Sequence, residues 1–353
     1  MNCTNPKILW DMGEQADPRW KYIGSLPEAC ERFGQSPGAI WSDRHALIVP
    51  CRQCLACKQA KGKEWGARVW KEAQQQRPGE CWFLTLTYRP ERLPWIKRGE
   101  EKPHRGGGGI PTLYHKDFQD FVKRLRRKLD YHGQGRAGQM RYVMCGEYGS
   151  KTERPHYHAC IMGLPLEDKG LQIIRVDPKS LQPAYKSEWL EEIWGNGLVD
   201  IEPLTPENAQ YMAGYTVKKL YGNEAIARYD AQGRKRPYIV PSKGIALNWL
   251  IEHIEEAQAK KYAYIPKSGG GCNTALPSEY ERRKLKEGIP GICEPKTEEE
   301  IEAERLKTYE DRVAKERARL ASTTTDIITY NQIKAEAAEQ RRKHLKNGGR
   351  EQI

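Results

Sequence analysis

The chain has 353 residues, a length that suits two domains or one domain with long extensions. Its 59 lysines and arginines exceed its 47 aspartates and glutamates, and the formal net charge of +12 favours either nucleic acid or a membrane surface as partner. No apolar run approaches the ~18 residues of a membrane span, and the N-terminus lacks the basic start and apolar stretch of a signal peptide. These features exclude membrane-spanning and secreted classes and predict a soluble, cytosolic protein with no membrane partner.

The first 80 residues predict an arm followed by a helix. Residues 1–50 show no clear periodicity and are expected to form an irregular arm. Residues 58–76 place Trp65, Val69 and Ala73 on one helical face, and the Arg-Pro-Gly that follows ends the helix.

A cysteine cluster precedes this helix. Three of the ten cysteines lie close together, at Cys51, Cys54 and Cys57. In a reducing compartment such spacing more often binds metal than forms disulfides, although plain reduced thiols are the alternative. A structural Zn²⁺ needs four ligands, and Cys30, His45 and Cys81 are candidates for the fourth. Most of the other cysteines, Cys3 among them, are expected to be ordinary buried thiols.

A set of strands and helices follows, and its order indicates the fold class. The predicted strands cover residues 81–88, 140–147, 156–162 and 197–203, and the predicted helices cover residues 115–129, 186–194 and 206–219. The connection between the second and third strands is too short for a parallel crossover, so these two strands are expected to form an antiparallel hairpin. The whole order predicts an α+β domain with an antiparallel sheet.

The helix at 115–129 combines an apolar stripe with dense positive charge. The stripe consists of Phe118, Phe121, Val122, Leu125 and Leu129. Basic side chains on this helix are candidate contacts for DNA phosphates, which give affinity without sequence recognition; they are Lys123, Arg124, Arg126 and Arg127. The alternative for each of them is a solvated surface charge.

Composition changes along the chain predict four segments. An arm with the cysteine cluster and a helix spans 1–78, and the sheet domain spans 79–225. A basic, loop-rich extension covers 226–296, and a charged helical tail covers 297–353.

Two histidines in one predicted strand form the clearest candidate site. His156 and His158 are two residues apart, so in an extended chain both imidazoles point to the same side. Glu147 ends the preceding strand, and the hairpin brings it back beside His156. Two imidazoles and one carboxylate suit a divalent metal, whereas the plainer interpretation is two polar histidines on an exposed strand.

A second motif lies in the helix at 206–219. Tyr211 and Tyr215 are four residues apart and share a helical face, which Lys218 continues. Tyrosines at this spacing usually pack in a core. The functional alternative is a phenolate that attacks a metal-polarised phosphodiester, while a lysine offsets charge or passes a proton.

Together these motifs carry a family resemblance. The segments FLTLTY (83–88), GEYG (146–149), RPHYHA (154–159) and YMAGYTVKK (211–219) resemble the three motifs of HUH rolling-circle replication endonucleases of the two-tyrosine branch. With the cysteine cluster upstream, the chain is similar to replication initiators of gokushovirus-type microviruses, which are small single-stranded DNA phages. The resemblance covers about residues 50–250.

The resemblance implies a fold and a mechanism. The fold is an HUH-type five-stranded antiparallel sheet with flanking helices, occupying 79–225. The resemblance implies that His156, His158 and Glu147 bind Mg²⁺ or Mn²⁺. Tyr211 and Tyr215 are then the nucleophiles, and Lys218 is the motif lysine. One tyrosine nicks the origin, leaving a 5′-phosphotyrosyl link and a free 3′-OH primer, and the other cuts the regenerated origin so that the displaced strand is closed into a circle.

Several alternatives remain open at this point. A plasmid-type initiator, relaxase or transposase would use the same chemistry, and a zinc-stabilised single-stranded DNA-binding protein would use none of it. A histidine-triad hydrolase needs a third alternating histidine, but this position is Cys160. Lys219 is a further candidate DNA contact. The sequence has no ATP-binding loop, so a host helicase is expected beside a host DNA polymerase in the bacterial cytoplasm.

Overall fold

The computed structural model describes residues 3–13, 18–131, 139–178, 181–218, 222–259, 261, 263–266, 271–322 and single positions between 325 and 340. The chain divides into two compact units. The first consists of residues 1–60 and 285–353, and the second of residues 61–284. The four segments predicted from composition stay a prediction.

Strands and helices alternate along the described residues. The strands are β1 (Lys7–Asp11), β2 (Trp20–Ser25), β3 (Ala46–Val49), β4 (Cys81–Leu86), β5 (Trp95–Ile96), β6 (Ile110–Pro111), β7 (Arg141–Tyr148), β8 (Pro155–Met162), β9 (Gln172–Val176), β10 (Pro183–Lys186), β11 (Val199–Pro203), β12 (Tyr238–Pro241), β13 (Ala263–Pro266) and β14 (Cys272–Ala275). The helices are α1 (Leu26–Phe33), α2 (Pro37–Trp41), α3 (Leu55–Ala73), α4 (His115–Tyr131), α5 (Glu188–Trp194), α6 (Pro206–Lys218), α7 (Gly222–Arg228), α8 (Leu247–Glu252), α9 (Ile254–Gln258), α10 (Glu279–Glu287) and α11 (Glu298–Ser322).

The first unit contains a small antiparallel sheet in the order β2-β1-β3. Ser25 caps α1 through a capping box with Glu28, and Ile8, Ile40 and Ile48 are buried in the core between sheet and helices. The expectation of an irregular arm over residues 1–50 is therefore wrong. The strands are four to six residues long, and β1 pairs with β3 across some forty residues of chain, so no local periodicity reveals them.

The predicted charged helix near the C-terminus is present as α11, which belongs to the first unit. Within this unit, Arg312 donates hydrogen bonds to the backbone oxygens of Asp43 and Ala46. Glu316 and Arg319 form a buried ion pair of 2.6 Å. These contacts give charged residues of α11 partners inside the unit.

The second unit is built on a seven-stranded antiparallel sheet in the order β12-β7-β8-β4-β11-β10-β9. The predicted α+β class with an antiparallel sheet is confirmed, but the count of five strands is wrong. The four strands predicted from sequence patterns are β4, β7, β8 and β11. The additional strands lie at the margins, where β9 is exposed along its whole length and carries no alternation of buried and exposed residues.

Helices cover both faces of this sheet because its central strands alternate apolar side chains between the two faces. On one face, Tyr157 and Ile161 of β8 pack against α4, whose predicted apolar stripe is fully buried. On the other face, Cys160 and Met162 pack with Met212 of α6 and Val69 of α3. A separate observation concerns the membrane: among the described residues, no helix combines the length and apolar character of a membrane span.

Candidate active site and cysteine cluster

Glu147, His156 and His158 meet where β7 and β8 lie side by side in the sheet. Glu147 is directly opposite His156 in the antiparallel register, so their side chains project from the same face. His158, two residues further along β8, points to the same side. This is the face that α6 covers, and the three side chains continue it beyond the buried Cys160 and Met162.

The three side chains converge on one point. Their ligand atoms all lie within 4.8 Å of one another. The Nε2 atom of His156 is 2.9 Å from Oε1 of Glu147, and the Nε2 atom of His158 is 3.3 Å from the same oxygen. Each side chain remains slightly exposed, between 10% and 17%, so the group is open to solvent on one side.

The other ring nitrogens have partners that fix the orientation of both imidazoles. Nδ1 of His156 donates to the backbone oxygen of Arg154 at 3.2 Å. Nδ1 of His158 lies 3.0 Å from the hydroxyl of Thr85, which is directly opposite on β4. Such partners hold the imidazole in the tautomer that leaves Nε2 for a metal ion. Thr85 is thus a supporting residue of this site.

Electrostatics keep the carboxylate of this group ionised. Burial alone would raise the pKa of Glu147, but hydrogen bonds with His156 and His158 outweigh it and lower that pKa to about 2. Glu147 therefore presents a negative oxygen to the two rings over the whole physiological pH range.

Tyr211 lies beside the histidines, although it comes from a helix rather than from the sheet. Its ring centre is 6.2 Å from that of His158, and Phe83 contacts both rings. The tyrosine is 54% exposed, whereas Met212 next to it is buried. Close approach of α3 supports this position, since a Cβ atom at Gly66 would lie only 3.1 Å from the Cα atom of Gln210.

Three other predicted residues are not described at the level of side chains. Tyr215 and Lys218 lie within α6, but their side chains are outside the described part of the structure, and Lys219 lies outside the described residues altogether. Their predicted roles stay predictions.

The basic residues of α4 lie on the opposite face of the sheet from the histidines. Lys123 and Arg127 are exposed. Arg124 donates to the backbone oxygens of Ile193 and Trp194, at the end of α5. Arg126 donates to the backbone oxygen of Met140 and lines a cavity of about 400 Å³. The other cavity residues are Arg141, Tyr142, Pro241, Ser242 and Lys243. None of the four is brought to the histidine group.

A second group of metal-competent side chains lies in the first unit. It consists of Cys3, Cys51, Cys54 and Cys57, whose sulfur atoms all lie within 4.8 Å of one another. Cys3 completes the set, whereas Cys30, His45 and Cys81 are outside it. Sequence spacing hides Cys3 because it is 48 residues from Cys51. The usable signal is the pairing of β1 with β3, which brings both segments to one end of the sheet.

Comparison with known proteins gives the family. The family model for the phage replication-associated protein ORF2 matches residues 81–220, which contain the histidines and the tyrosines. Replication-associated protein ORF2 of Spiroplasma virus 4 is 30% identical over 287 residues, or 81% of each chain. The chain belongs to this family of replication-associated proteins.

Other relatives in the family come from further small phages. Replication-associated protein VP4 of Bdellovibrio phage phiMH2K is 28% identical over 246 residues, 67% of each chain. Replication-associated protein ORF4 of Chlamydia phage 1 is 30% identical over 210 residues, 59% of this chain and 47% of the relative. No solved structure matches. The predicted resemblance to gokushovirus-type replication initiators is confirmed at the level of the family.

Proposed function

We propose that this protein is a site-specific DNA nickase and strand transferase of the HUH type. It would start and end rolling-circle replication of a small single-stranded DNA phage genome in the bacterial cytoplasm. The observation that carries the proposal is the convergence of Glu147, His156 and His158 within 4.8 Å, with the exposed ring of Tyr211 beside His158. The family of replication-associated proteins supports a substrate that is DNA.

The donor set of this group fits a divalent cation such as Mg²⁺ or Mn²⁺. Two imidazole nitrogens and one carboxylate oxygen occupy one side of the point on which they converge. The exposed side remains available to a phosphate oxygen and water. When bound, such an ion withdraws charge from a non-bridging oxygen of a phosphodiester and makes the phosphorus a better electrophile.

Tyr211 then has the position of a nucleophile. Its phenol oxygen would form a bond to phosphorus while the bond from phosphorus to the 3′ oxygen breaks. The departing 3′ oxygen takes up a proton and becomes a free 3′-OH primer, and the phenol proton passes to solvent or to the amine of Lys218. The 5′-phosphotyrosyl link conserves the energy of the broken bond for a later joining step.

Tyr215, one helical turn further along α6, is the second nucleophile. It would cut the regenerated origin after one round of synthesis, which releases a new 3′-OH. Attack of that 3′-OH on the first phosphotyrosyl link closes the displaced strand into a circle and returns the phenol of Tyr211. A host helicase and a host DNA polymerase supply unwinding and synthesis in this scheme.

The test is a cleavage assay on single-stranded oligonucleotides that tile the phage origin region, with a label at the 3′ end and Mn²⁺ present. A nick leaves the labelled fragment covalently attached to the protein, which a denaturing gel resolves. We expect Tyr211→Phe or Tyr215→Phe to reduce the adduct, and the double variant to abolish it. Tyr264→Phe is the matched control, because Tyr264 is an exposed tyrosine on β13 outside this group.

Each other outcome has a defined meaning. Adduct formation by the double variant would overturn the nucleophile assignment. Tight DNA binding with no adduct across the tiled region would overturn the enzymatic proposal in favour of a zinc-stabilised single-stranded DNA-binding protein.

A further inference from the structure

The four cysteines of the second group come from two segments that a strand pairing brings together. Lys7 is opposite Val49 in the antiparallel pair of β1 and β3. The chain before Lys7 therefore runs beside the chain after Val49, and this places Cys3 next to Cys51. The remaining two cysteines follow at the start of α3, Cys54 directly before its first residue and Cys57 in its first turn.

Distances between the sulfur atoms match a tetrahedral metal site. A Zn–S bond of about 2.3 Å implies sulfur atoms about 3.8 Å apart in a tetrahedron. Here Cys54 and Cys3 are 3.8 Å apart, and Cys51 and Cys57 are 4.0 Å apart. A disulfide would need about 2.0 Å, and none of these four cysteines forms one.

The surrounding backbone favours negative sulfur atoms. The N–H of Cys51 donates to the sulfur of Cys3, and the N–H of Cys54 donates to the sulfur of Cys51, both at 3.3 Å. Arg52 adopts a left-handed conformation with φ of 62°, which turns the chain tightly between Cys51 and Cys54. The N-terminal end of α3 adds the positive end of a helix dipole.

We propose that Cys3, Cys51, Cys54 and Cys57 bind one structural Zn²⁺ ion as a tetrathiolate. Four protein ligands fill a tetrahedral coordination sphere, so no position is left for water or substrate, and the ion stabilises the fold rather than taking part in a reaction. It would tie the first residues of the chain to the end of β3 and the start of α3. The core of this unit contains few large side chains, and a small core gains most from such a cross-link.

The experiment uses the full chain purified without chelators. Elemental analysis is expected to give about one zinc per chain. In Cys3→Ser the zinc content should fall at least about tenfold and the thermal midpoint should drop by at least about 5 °C. Cys30→Ser is the matched control: this half-buried thiol is outside the group, so the variant should keep both values.

A measurement on the unmodified chain covers the case in which Cys3→Ser fails to fold. Zinc-loaded protein is treated with an alkylating reagent, and the modified cysteines are located by mass spectrometry. Cys3, Cys51, Cys54 and Cys57 should be protected together and become reactive together once zinc is removed. The exposed Cys272 should react in both states.

Three results would overturn the proposal. Iron in place of zinc would refute the identity of the ion. Retention of a full complement of zinc by Cys3→Ser, or alkylation of Cys3 while zinc remains bound, would remove Cys3 from the ligand set. Metal-free protein whose four thiols are reactive as purified would remove the site.

Discussion

The histidine group and the cysteine group differ in their donor atoms and in how completely they enclose a point in space. Glu147, His156 and His158 provide two nitrogens and one oxygen from two paired strands, and one side remains open to solvent. The cysteine group provides four sulfur atoms from the two sides of a point. Borderline and hard donors with an open position suit an ion that must touch a phosphate, whereas four thiolates suit an ion that must only hold chain segments together.

This difference teaches that the number of donors matters as much as their type. A site for chemistry needs vacant coordination positions, so it draws on few protein ligands and relies on neighbours such as Thr85 to orient them. A structural site fills its own coordination sphere. The two groups should therefore respond in opposite ways to changes in ligands and metals.

The largest effect is expected from removing a histidine of the open group. His158→Ala should lower single-turnover cleavage at least about a thousandfold, because the charge stabilisation that a bound cation provides is worth several kcal/mol. Zinc content should stay unchanged. His45→Ala, which alters an exposed histidine of the first unit, should cleave normally. Full cleavage by His158→Ala would exclude a metal role for this residue.

Metal removal should separate the two groups in one sample. Gel filtration into metal-free buffer should stop cleavage and leave zinc in place, because tetrathiolate zinc is bound by about 10–16 kcal/mol whereas an open three-ligand site exchanges its ion readily. Added Mn²⁺ should restore cleavage. The measurement pairs a cleavage assay with elemental analysis. Persistent cleavage without added metal would contradict an exchangeable ion.

A smaller effect is expected from Thr85→Val, which removes the hydroxyl beside Nδ1 of His158 and keeps the shape of the side chain. Affinity for Mn²⁺ should fall about 10–100-fold, since second partners of ligand histidines contribute that much. Saturating Mn²⁺ should restore the rate, which a direct catalytic role would not allow. Thr87→Val is the control, because its hydroxyl donates to the backbone oxygen of Leu198 instead.

The smallest effect concerns the distance between the tyrosine helix and the open group. In Gly66→Ala the added methyl would lie 3.1 Å from the Cα atom of Gln210, so α6 must shift by a few tenths of an ångström. Cleavage should fall up to about tenfold, because a nucleophile loses rate steeply with misplacement. Mn²⁺ affinity should be unchanged, and the thermal midpoint should not fall because alanine favours a helix. A parallel loss of Mn²⁺ affinity would indicate general distortion.

Local patterns were sufficient to predict the centre of the second unit. The alternation of His156 and His158 is a property of any extended chain, and a short hairpin allows only one return path for Glu147. The apolar stripe of α4 likewise follows from helical periodicity, and its members are buried. The side chains of α6 beyond Met212 are outside the described part, so the prediction for Tyr215 rests on the sequence alone.

Pairings between distant segments could not be predicted in this way. Cys3 joins its group only because β1 pairs with β3, and neither short strand is recognisable by itself. Strand β9 is fully exposed, so burial leaves no alternating pattern in its sequence. Thr85 gives no signal as a partner of His158, since the choice of neighbouring strand is a property of the assembled sheet.

The order of strands in the second unit also bears on when the open group comes into existence. Thr85 and His158 are 73 residues apart, and α6 follows later still, so synthesis of the chain must pass all of these segments before the central strands and the tyrosine helix can come together. Contacts of such long range form late in folding. A nascent chain still attached to the ribosome therefore lacks the complete constellation, and DNA-cutting chemistry is withheld until translation of this unit has ended.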